Sequence, residues 1–455
     1  MKIMIKGAGD LATGIASRLY RCGHQILMTE IAVPLTVRRQ VALSRAVYEQ
    51  EAVVEDLKGV LVHSLQEVHA VQDDGNIAVI VDEKAAIADG YHPDILIDAI
   101  LAKKNLGTRI TDAPFVIGVG PGFTAGRDCH CVVETKRGHT LGSVLWEGSA
   151  IPNTGVPGNV GGYTIERLIR ATAAGVMEPA VAIGDLVTKG QVVAVTGGSN
   201  VYAQMTGIVR GMLQPGVLVS ENLKIGDIDA RCELFHCYTI SDKARAIGGG
   251  ALEAVTLYEH MQGKYALVVL AAGRSLRFGQ VDENKLKAFV QGKPLYRHML
   301  EKLQAFSGCG RVVVTGYEEI AEEARMLGIH PVMNREPDLG IAHSLKLGIL
   351  ECLRINPQVQ GILFSVCDQP NLKVSTIQRM LNLAEVHPGR IVCAGSHGRT
   401  GNPVLWDRRY FSELLELLGD VGGRQLMNQY KDRVLVVETD TEELKDIDRK
   451  TDIVQ

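Results

Sequence analysis

Residues 266–279 read Ala-Leu-Val-Val-Leu-Ala-Ala-Gly-Arg-Ser-Leu-Arg-Phe-Gly. The apolar run predicts a buried β-strand, and the small residues after it predict a tight loop. A phosphate needs backbone donors that approach without an intervening Cβ, and positive charge beside them. Gly273, Arg274 and Arg277 supply both, so the stretch predicts an anion-binding loop at the end of a strand.

A second apolar run, residues 361–366, ends in Cys367-Asp368-Gln369-Pro370. This pattern places a carboxylate at the carboxyl end of a strand, where open α/β sheets bind ligands. Hard cations take carboxylate and phosphate oxygens together, so Asp368 is a candidate Mg²⁺ ligand. The later cluster Asp446-Ile447-Asp448 offers further carboxylates, although a single Asp in such a place is more often a helix cap.

Strand-like runs alternate with helical stretches at both ends of the chain, which predicts a multidomain α/β protein with parallel sheets. Residues 180–231 instead carry short strands between glycine turns, which predicts a small β-barrel or sandwich. A helix is expected over 242–261. The predicted domains are 1–150, a Rossmann-like sheet; 151–262, a small β-barrel plus helical linker; and 263–455, a second Rossmann-like sheet.

The carboxy-terminal motifs resemble the molybdenum cofactor cytidylyltransferases, which are MobA-like nucleotidyltransferases. They are the 270–279 loop, Lys285, Lys293-Pro294-Leu295, the Asp368 turn, Gly401-Asn402-Pro403-Val404, the 419–424 segment and 446–448, in the family's order. The resemblance implies a Rossmann-like nucleotidyltransferase fold and transfer of CMP from CTP to molybdopterin, with release of pyrophosphate.

The same resemblance assigns roles to individual residues. Nucleotide binding falls on Ala271, Ala272, Gly273, Arg274, Ser275 and Gly316. The residues assigned to catalysis are Arg277, Lys285 and Asp368, with Lys287 as the alternative to Lys285. The residues assigned to Mg²⁺ binding are Asp368 and Asp448. The residues assigned to binding of the pterin substrate are Asn334, Gly401, Asn402, Pro403, Gly419, Asp420 and Arg424.

Near the amino terminus, Gly7-Ala8-Gly9-Asp10-Leu11-Ala12 follows a predicted strand, and Glu30 ends the next one. Gly7, Gly9, Ala12 and Glu30 match a dinucleotide-binding fingerprint, which leaves open a dinucleotide site or a turn made for packing alone. Cys129 and Cys131, with nearby histidines, are read as buried thiols in preference to metal ligands, because their spacing is tight for zinc.

Residues 1–260 resemble accessory proteins of selenium-dependent molybdenum hydroxylases, of the YqeB type. The matching motifs are the loop at 6–12, 118–123, 134–139 and 243–250. The resemblance implies a role in maturing such a hydroxylase, so that an apoenzyme becomes an expected partner. Residues 183–209 are similar to a biotinyl/lipoyl hammerhead, but the expected carrier lysine is missing from 202–207, so a structural barrel is expected.

Composition excludes several classes of protein. Of 455 residues, 46% are hydrophobic and 22% charged, which is typical of globular domains. A net charge of −4 gives no electrostatic case for nucleic acid or an anionic membrane. No apolar run reaches the ~18 residues of a membrane span, and the nine scattered cysteines indicate a cytoplasmic protein with reduced thiols.

The sequence therefore predicts a bifunctional molybdenum-cofactor protein with Mg²⁺ and CTP at its carboxy-terminal domain. Two alternatives stay open. One is a nucleotidyltransferase acting on a sugar or polyol phosphate. The other is a cofactor chaperone without catalytic activity.

Overall fold

The computed structural model describes residues 1–153, 155, 160–273 and 284–453. The chain divides into two compact units, Met1–Val255 and Thr256–Gln455. The finer division into three domains stays a prediction. Within the described ranges, no helix is long and apolar enough to cross a membrane.

The first unit contains a mostly parallel sheet in the order β3-β4-β5-β2-β1-β6-β7-β8-β9. Strand β1 lies between β2 and β6, both parallel to it, and the strand order reverses at β1. Ligands of such sheets bind where the order reverses, outside the carboxyl ends of the strands. The elements are β1 (Lys2–Lys6), α1 (Asp10–Arg21), β2 (Gln25–Glu30), α2 (Ala46–Glu49), β3 (Glu51–Val54), β4 (Leu57–Val62), α3 (Leu65–Asp73), β5 (Ile77–Val81), α4 (Ala88–Tyr91), β6 (Ile95–Asp98), β7 (Phe115–Val119), β8 (Cys131–Val133) and β9 (Val144–Leu145).

Strands β7 and β8 are buried along their whole length. The sequence motif at 118–123, and Cys129 and Cys131, overlap or adjoin these core strands. A Cβ on Gly118 would lie 2.6 Å from the Phe123 ring, so this glycine serves close packing. The dense pattern of glycine and cysteine there reflects burial.

The β-rich segment forms two antiparallel sheets among the described residues, β10-β17-β15-β12 and β14-β13-β11-β16. Both contribute to one core that includes Met177, Val193, Val209 and Ile228. The predicted small β unit is therefore present as paired sheets, and its likeness to a hammerhead barrel stays a prediction. Its strands are β10 (Leu168–Arg170), β11 (Gly175–Pro179), β12 (Leu186–Val187), β13 (Val192–Thr196), β14 (Ser199–Tyr202), β15 (Gly207–Met212), β16 (Leu218–Val219) and β17 (Lys224–Asp229).

Helix α5 (Asp242–Met261) follows, with the predicted bounds. The second unit then has a mixed sheet in the order β22-β21-β18-β23-β25-β24-β26. Its elements are β18 (Tyr265–Ala271), β19 (Phe289–Val290), β20 (Lys293–Pro294), α6 (Leu295–Leu303), β21 (Gly310–Thr315), α7 (Glu318–Met326), β22 (His330–Met333), α8 (Ile341–Ile355), β23 (Gly361–Val366), α9 (Val374–Val386), β24 (Ile391–Ser396), β25 (Arg399–Asp407), α10 (Phe411–Glu416), α11 (Arg424–Gln429) and β26 (Val434–Glu438).

Strand β18 lies at the centre of this sheet, parallel to β21 and β23, and both of its faces are buried. Val268 shares a core with Phe364 and with Ile349 of α8, whereas its neighbours Leu267 and Val269 point to the opposite face. A strand covered on both faces reads as a continuous apolar run. This is why 266–270 predicts the fold so well.

Strand β25 runs antiparallel to both of its neighbours. Its beginning therefore lies at the sheet edge where β18, β21 and β23 end. The glycine and proline of Gly401-Asn402-Pro403 would fit a loop, but all three residues lie within β25. The pairing with β24 shifts register between Cys393 and Ala394, and such bulges are where a sheet tolerates proline.

Candidate functional site

The carboxyl edge of the second sheet gathers the ends of four described strands. Ala271 pairs with Thr315, Thr315 pairs with Met333, and Leu270 pairs with Val366. Residues that follow these strands therefore come out side by side. Gly273, Gly316, Asn334 and Asp368 all follow them within two residues.

The loop after β18 is anchored by hydroxyl groups from the end of β21 and from the residues that follow it. The Thr315 hydroxyl donates to the Ala271 carbonyl at 3.1 Å, and the Tyr317 hydroxyl donates to the Gly273 carbonyl at 3.1 Å. Ala272 is buried beside them. The predicted contacts Arg274, Ser275 and Arg277 lie outside the described residues.

Lys285 joins two of the predicted site carboxylates. Its Nζ donates to Oδ2 of Asp368 at 2.8 Å and to Oδ1 of Asp448 at 3.1 Å. The backbone N–H of Ile447 donates to the Asp368 carbonyl at 2.9 Å, which fixes the 446–448 segment against the end of β23. Lys287, the alternative cation, pairs with Glu319 instead. The structure thus brings together Lys285, Asp368 and Asp448, as the sequence analysis expects of one site.

The charges at this edge are strongly coupled. Burial opposes protonation of Lys285, but the adjacent Asp368 and Asp448 carboxylates outweigh it and raise the pKa of the ammonium. Burial and the neighbouring Asp368 raise the pKa of Asp446 above its usual value. Asp446 also accepts a hydrogen bond from the Gln369 side chain at 3.0 Å. Excess negative charge at this edge therefore favours a cation.

The carboxylates fit a hard divalent cation in their chemistry. Oδ1 of Asp368 is buried and accepts no hydrogen bond within the described part of the chain. A buried carboxylate oxygen without a partner is costly unless a cation meets it. Asp368 and Asp448 would hold such a cation beside Lys285. No group of three His, Cys, Asp or Glu among the described residues is arranged as a complete protein cage, so phosphate and water oxygens would supply the remaining ligands.

The predicted pterin side is built around Asn334. This buried side chain donates to the Ser344 hydroxyl at 3.0 Å and accepts from the Glu336 N–H at 2.9 Å. The Ala342 N–H donates to the Gly419 carbonyl at 3.2 Å. Asn334 therefore fixes the start of α8, and α8 contacts the 419–420 segment.

Gly340 shows how close that approach is. With φ at +81°, a Cβ here would lie 2.4 Å from the Gly419 carbonyl. Asp420 and Arg424 are exposed, and Arg424 begins the short helix α11. Gly316 lies against the Asn334 carbonyl, where a Cβ would be 3.3 Å away. The predicted substrate residues thus line one edge, although Arg424 makes no contact there that is described.

The predicted nucleotide loop of the first unit has a different arrangement. Gly7 has φ at +93° and a Cβ on it would lie 3.0 Å from the Ala99 carbonyl, while Gly9 is the N-cap of α1. Ala12 is buried inside α1. Glu30 accepts from the N–H groups of Ala8 at 3.0 Å and Ile31 at 2.9 Å, so its carboxylate braces the loop itself. Burial raises the pKa of Glu30.

Cys129 and Cys131 lie in the core of the first sheet. Burial raises the pKa of Cys129 to about 12 and raises the pKa of Cys131 well above its usual value. A thiol must lose its proton to bind metal or act as a nucleophile. These positions therefore favour packing.

With this geometry established, comparison with known families identifies the second unit. Residues 267–434 match the MobA-like NTP transferase domain. The second unit therefore contains a nucleotidyltransferase domain. The match spans β18 to the start of β26 and includes Asp368, Asn334 and the Gly401–Pro403 segment.

Two curated proteins show the sequence relationships of the chain. The uncharacterized protein YqeB of Escherichia coli is 48% identical over 268 residues, which are 59% of this chain and 50% of YqeB. The bifunctional protein GlmU of Sphingopyxis alaskensis is 30% identical over 86 residues, 19% of each chain. The chain thus spans half the length, or less, of the curated relatives it matches.

Solved structures resemble part of the chain. Rv0371c from Mycobacterium tuberculosis is 23% identical, covers 42% of this chain and 95% of its own, and has a TM-score of 0.35. A nucleotidyl transferase from Methanothermobacter is 21% identical, with coverages of 42% and 94% and a TM-score of 0.34.

Sequence reasoning missed the basic residues of the first unit. Arg38, Lys224 and Lys243 line a cleft together with Gly9 and Asp10, although they are far apart along the chain. A sequence signal was available for Lys243 alone. This lysine begins the motif at 243–250, which entered the sequence analysis only through its resemblance to the YqeB type.

Proposed function

We propose that the second unit transfers CMP from CTP to molybdopterin with release of pyrophosphate. The observation that carries the proposal is the buried, unpaired Oδ1 of Asp368 at the end of β23, beside Lys285 and Asp448. The MobA-like domain match supports an NTP as the donor. The choice of CTP and of the pterin rests on the motif resemblance.

In this proposal the nucleotide phosphates lie over the loop that follows β18. Gly273 allows close backbone approach, and the predicted contacts Arg274, Ser275 and Arg277 add donors. A divalent cation, Mg²⁺ by our proposal, would supply charge neutralisation on the phosphates while held by Asp368 and Asp448. Lys285 restrains both carboxylates and adds positive charge to the same edge.

The reaction is an in-line substitution at the α-phosphorus. A phosphate oxygen of the acceptor forms a new P–O bond to that phosphorus, and the bond to the bridging oxygen of the β-phosphate breaks. The electron pair leaves with pyrophosphate. Because no covalent enzyme intermediate is needed, the chain contributes positioning and charge stabilisation.

The acceptor would approach from the side of Asn334 and the start of β25. Asn334 holds the start of α8 through Ser344, and α8 meets Gly419. Asn402 and Pro403 form the adjacent bulge. These residues would form the wall against the pterin, with Asp420 and Arg424 near its rim.

We further propose that the first unit assists maturation of a selenium-dependent molybdenum hydroxylase, whose apoenzyme would be the partner. Similarity to YqeB supports the comparison with that group of proteins. Joining the two activities in one chain would keep the cytosine dinucleotide cofactor near its point of use.

The test is pyrophosphate release by the full chain with Mg²⁺ and each of CTP, GTP, ATP and UTP, with and without molybdopterin. We expect release with CTP plus pterin alone. D368N should reduce turnover by roughly a hundredfold or more, because a charged metal ligand is lost. D432N is the matched control, since Asp432 is an exposed carboxylate on a short turn away from this edge.

Release with a sugar or polyol phosphate in place of the pterin would establish the alternative transferase. No release with any nucleotide from a folded protein would favour a chaperone. Unchanged turnover in D368N would refute the metal role of Asp368.

A further inference from the structure

The first unit contains a cleft of about 1030 Å³ beside the loop that follows β1. Its walls come from that loop, from the segments after β2 and β6, and from β10, β15 and β17 of the paired sheets. Basic side chains outnumber acidic ones among its described lining residues. A cleft of this size accommodates a ligand as large as a nucleotide.

Two close contacts between backbone segments hold the walls of the cleft in place. A Cβ on Gly14 would lie 2.6 Å from the Ala244 Cβ, and a Cβ on Gly248 would lie 2.5 Å from the Gly14 carbonyl oxygen. Helix α1 and the start of α5 are therefore in direct contact. A Cβ on Gly211 of β15 would lie 2.7 Å from the Val37 carbonyl. The first contact brings Lys243 to the start of α1, and the second brings β15 against the residue before Arg38.

One carboxylate in the cleft faces several cations. Asp10, the first residue of α1, lies 3.6 Å from Arg38 and is also near Lys224 and Lys243. Asp227, another of the acidic residues that line the cleft, is already engaged by Arg167 at 3.0 Å and by Arg210. Asp10 is therefore shared among three cations, and Glu134 and Asp242 also act on Lys243.

Lys224 and Lys243 are left without direct partners. Among the described residues, neither ammonium makes a hydrogen bond or an ion pair. Burial lowers the pKa of both lysines, so their protonated forms are destabilised where they are. An anion between them would relieve this cost.

The start of α1 adds donors on the same side. Gly9 occupies the N-cap and has no side chain to cap the helix. The N–H groups of the first turn are therefore available to an anion, and their dipole favours one.

The cleft also has apolar walls. Ile31, Leu35 and Leu106 line it while keeping 37%, 46% and 52% of their surface exposed. Large apolar side chains exposed in a concave site favour a ligand with a flat or apolar portion.

We propose that this cleft binds a nucleotide-like ligand, with its phosphates held by Lys224, Lys243, Arg38 and the amide groups at the start of α1. The apolar walls take its heterocycle. Glu30 stays on the loop backbone, so recognition rests on the cationic residues and not on the acidic residue of the fingerprint. This proposal does not depend on the transferase activity that we propose for the second unit.

The test is calorimetric titration of the full chain, without divalent metal, with ADP, adenosine and inorganic pyrophosphate. ADP should bind at least tenfold more tightly than adenosine. The double variant K224Q/K243Q should weaken ADP binding at least tenfold. K189Q is the matched control, because Lys189 is an exposed lysine of the same unit that does not line the cleft.

Two further titrations separate this cleft from the transferase site. K243Q alone should lower ADP affinity by an intermediate factor, and D368N should leave it unchanged. The proposal is overturned if the folded K224Q/K243Q variant binds ADP as the parent does. It is equally overturned if adenosine binds as well as ADP, or if none of the three probes binds.

Discussion

The two units share the strand arrangement around one central strand but carry opposite charge beside it. In each, a central first strand, β1 or β18, ends in a glycine-containing turn beside the carboxyl ends of parallel neighbours. In the first unit the nearby carboxylate Glu30 is bound to the loop backbone, and lysines are in surplus. In the second, Asp368, Asp446 and Asp448 surround Lys285. The first unit therefore favours an anion directly. The second favours a divalent cation, and that cation would then bind a phosphate.

The largest effect should come from removing the positive charge of Lys285 at the acidic edge of the second sheet. K285Q should lower nucleotidyl transfer by roughly a hundredfold, because Asp368 and Asp448 lose the group that holds them and the phosphates lose positive charge. Steady-state pyrophosphate release measures this. K287Q is the control and should stay within about threefold of the parent, because Lys287 pairs with Glu319. Equal losses in both variants would contradict the placement of Lys285.

The turn glycines of the two units give the next contrast. G340A should lower the free energy of unfolding by about 2–4 kcal/mol, because φ is +81° and the new Cβ would meet Gly419 at 2.4 Å. G7A should cost about 1–2 kcal/mol, since its Cβ would meet the Ala99 carbonyl at 3.0 Å. Urea denaturation measures both.

G422A is the matched control for these substitutions. The nearest atom to a Cβ on Gly422 is 3.9 Å away, in Ile341. Its stability should stay within about 0.5 kcal/mol of the parent. A loss in G422A as large as that in G340A would show that any added methyl group perturbs this edge.

Buried lysines differ between the units as well. Lys302 of the second unit donates to the Pro370 carbonyl, and burial lowers its pKa to about 8. Because the folded pKa lies below the ordinary value of 10.5, the unfolded chain binds more protons between pH 8 and 10.5. The free energy of unfolding of the parent should therefore rise relative to K302M over that range, by about 1–3 kcal/mol. A constant difference would contradict the shift.

The smallest effect concerns the basic cleft without ligand. K224Q/K243Q should raise the melting temperature by about 2–4 °C, because two poorly compensated buried charges are removed. K189Q should leave it unchanged. A lower melting temperature in the double variant would mean that these lysines stabilise the fold and do not serve a ligand.

Strand positions could be predicted well from sequence where the pattern is local. The apolar runs predicted at 266–270 and 361–366 fall in β18 and β23. Continuous apolar runs between turn residues carry this signal.

The candidate site could be predicted in part. Asp368, Lys285 and Asp448 each stand in a motif, and their meeting follows from the order of strands. The reversed direction of β25 could not be read from Gly401–Pro403, because glycine and proline indicate a turn as readily as a bulge. The basic cleft escaped prediction for another reason: Arg38, Lys224 and Lys243 meet through contacts between segments distant in sequence.

The hairpin that joins β24 and β25 has a consequence for how such proteins diverge. Its turn, His397 and Gly398, has positive φ at both positions, which fits a two-residue hairpin. The part of the proposed acceptor wall that Asn402 and Pro403 form therefore belongs to one short contiguous stretch, encoded separately from the nucleotide loop and from Asp368. Exchanging this hairpin between relatives would offer an evolutionary route to a new acceptor that preserves the chemistry of phosphoryl substitution.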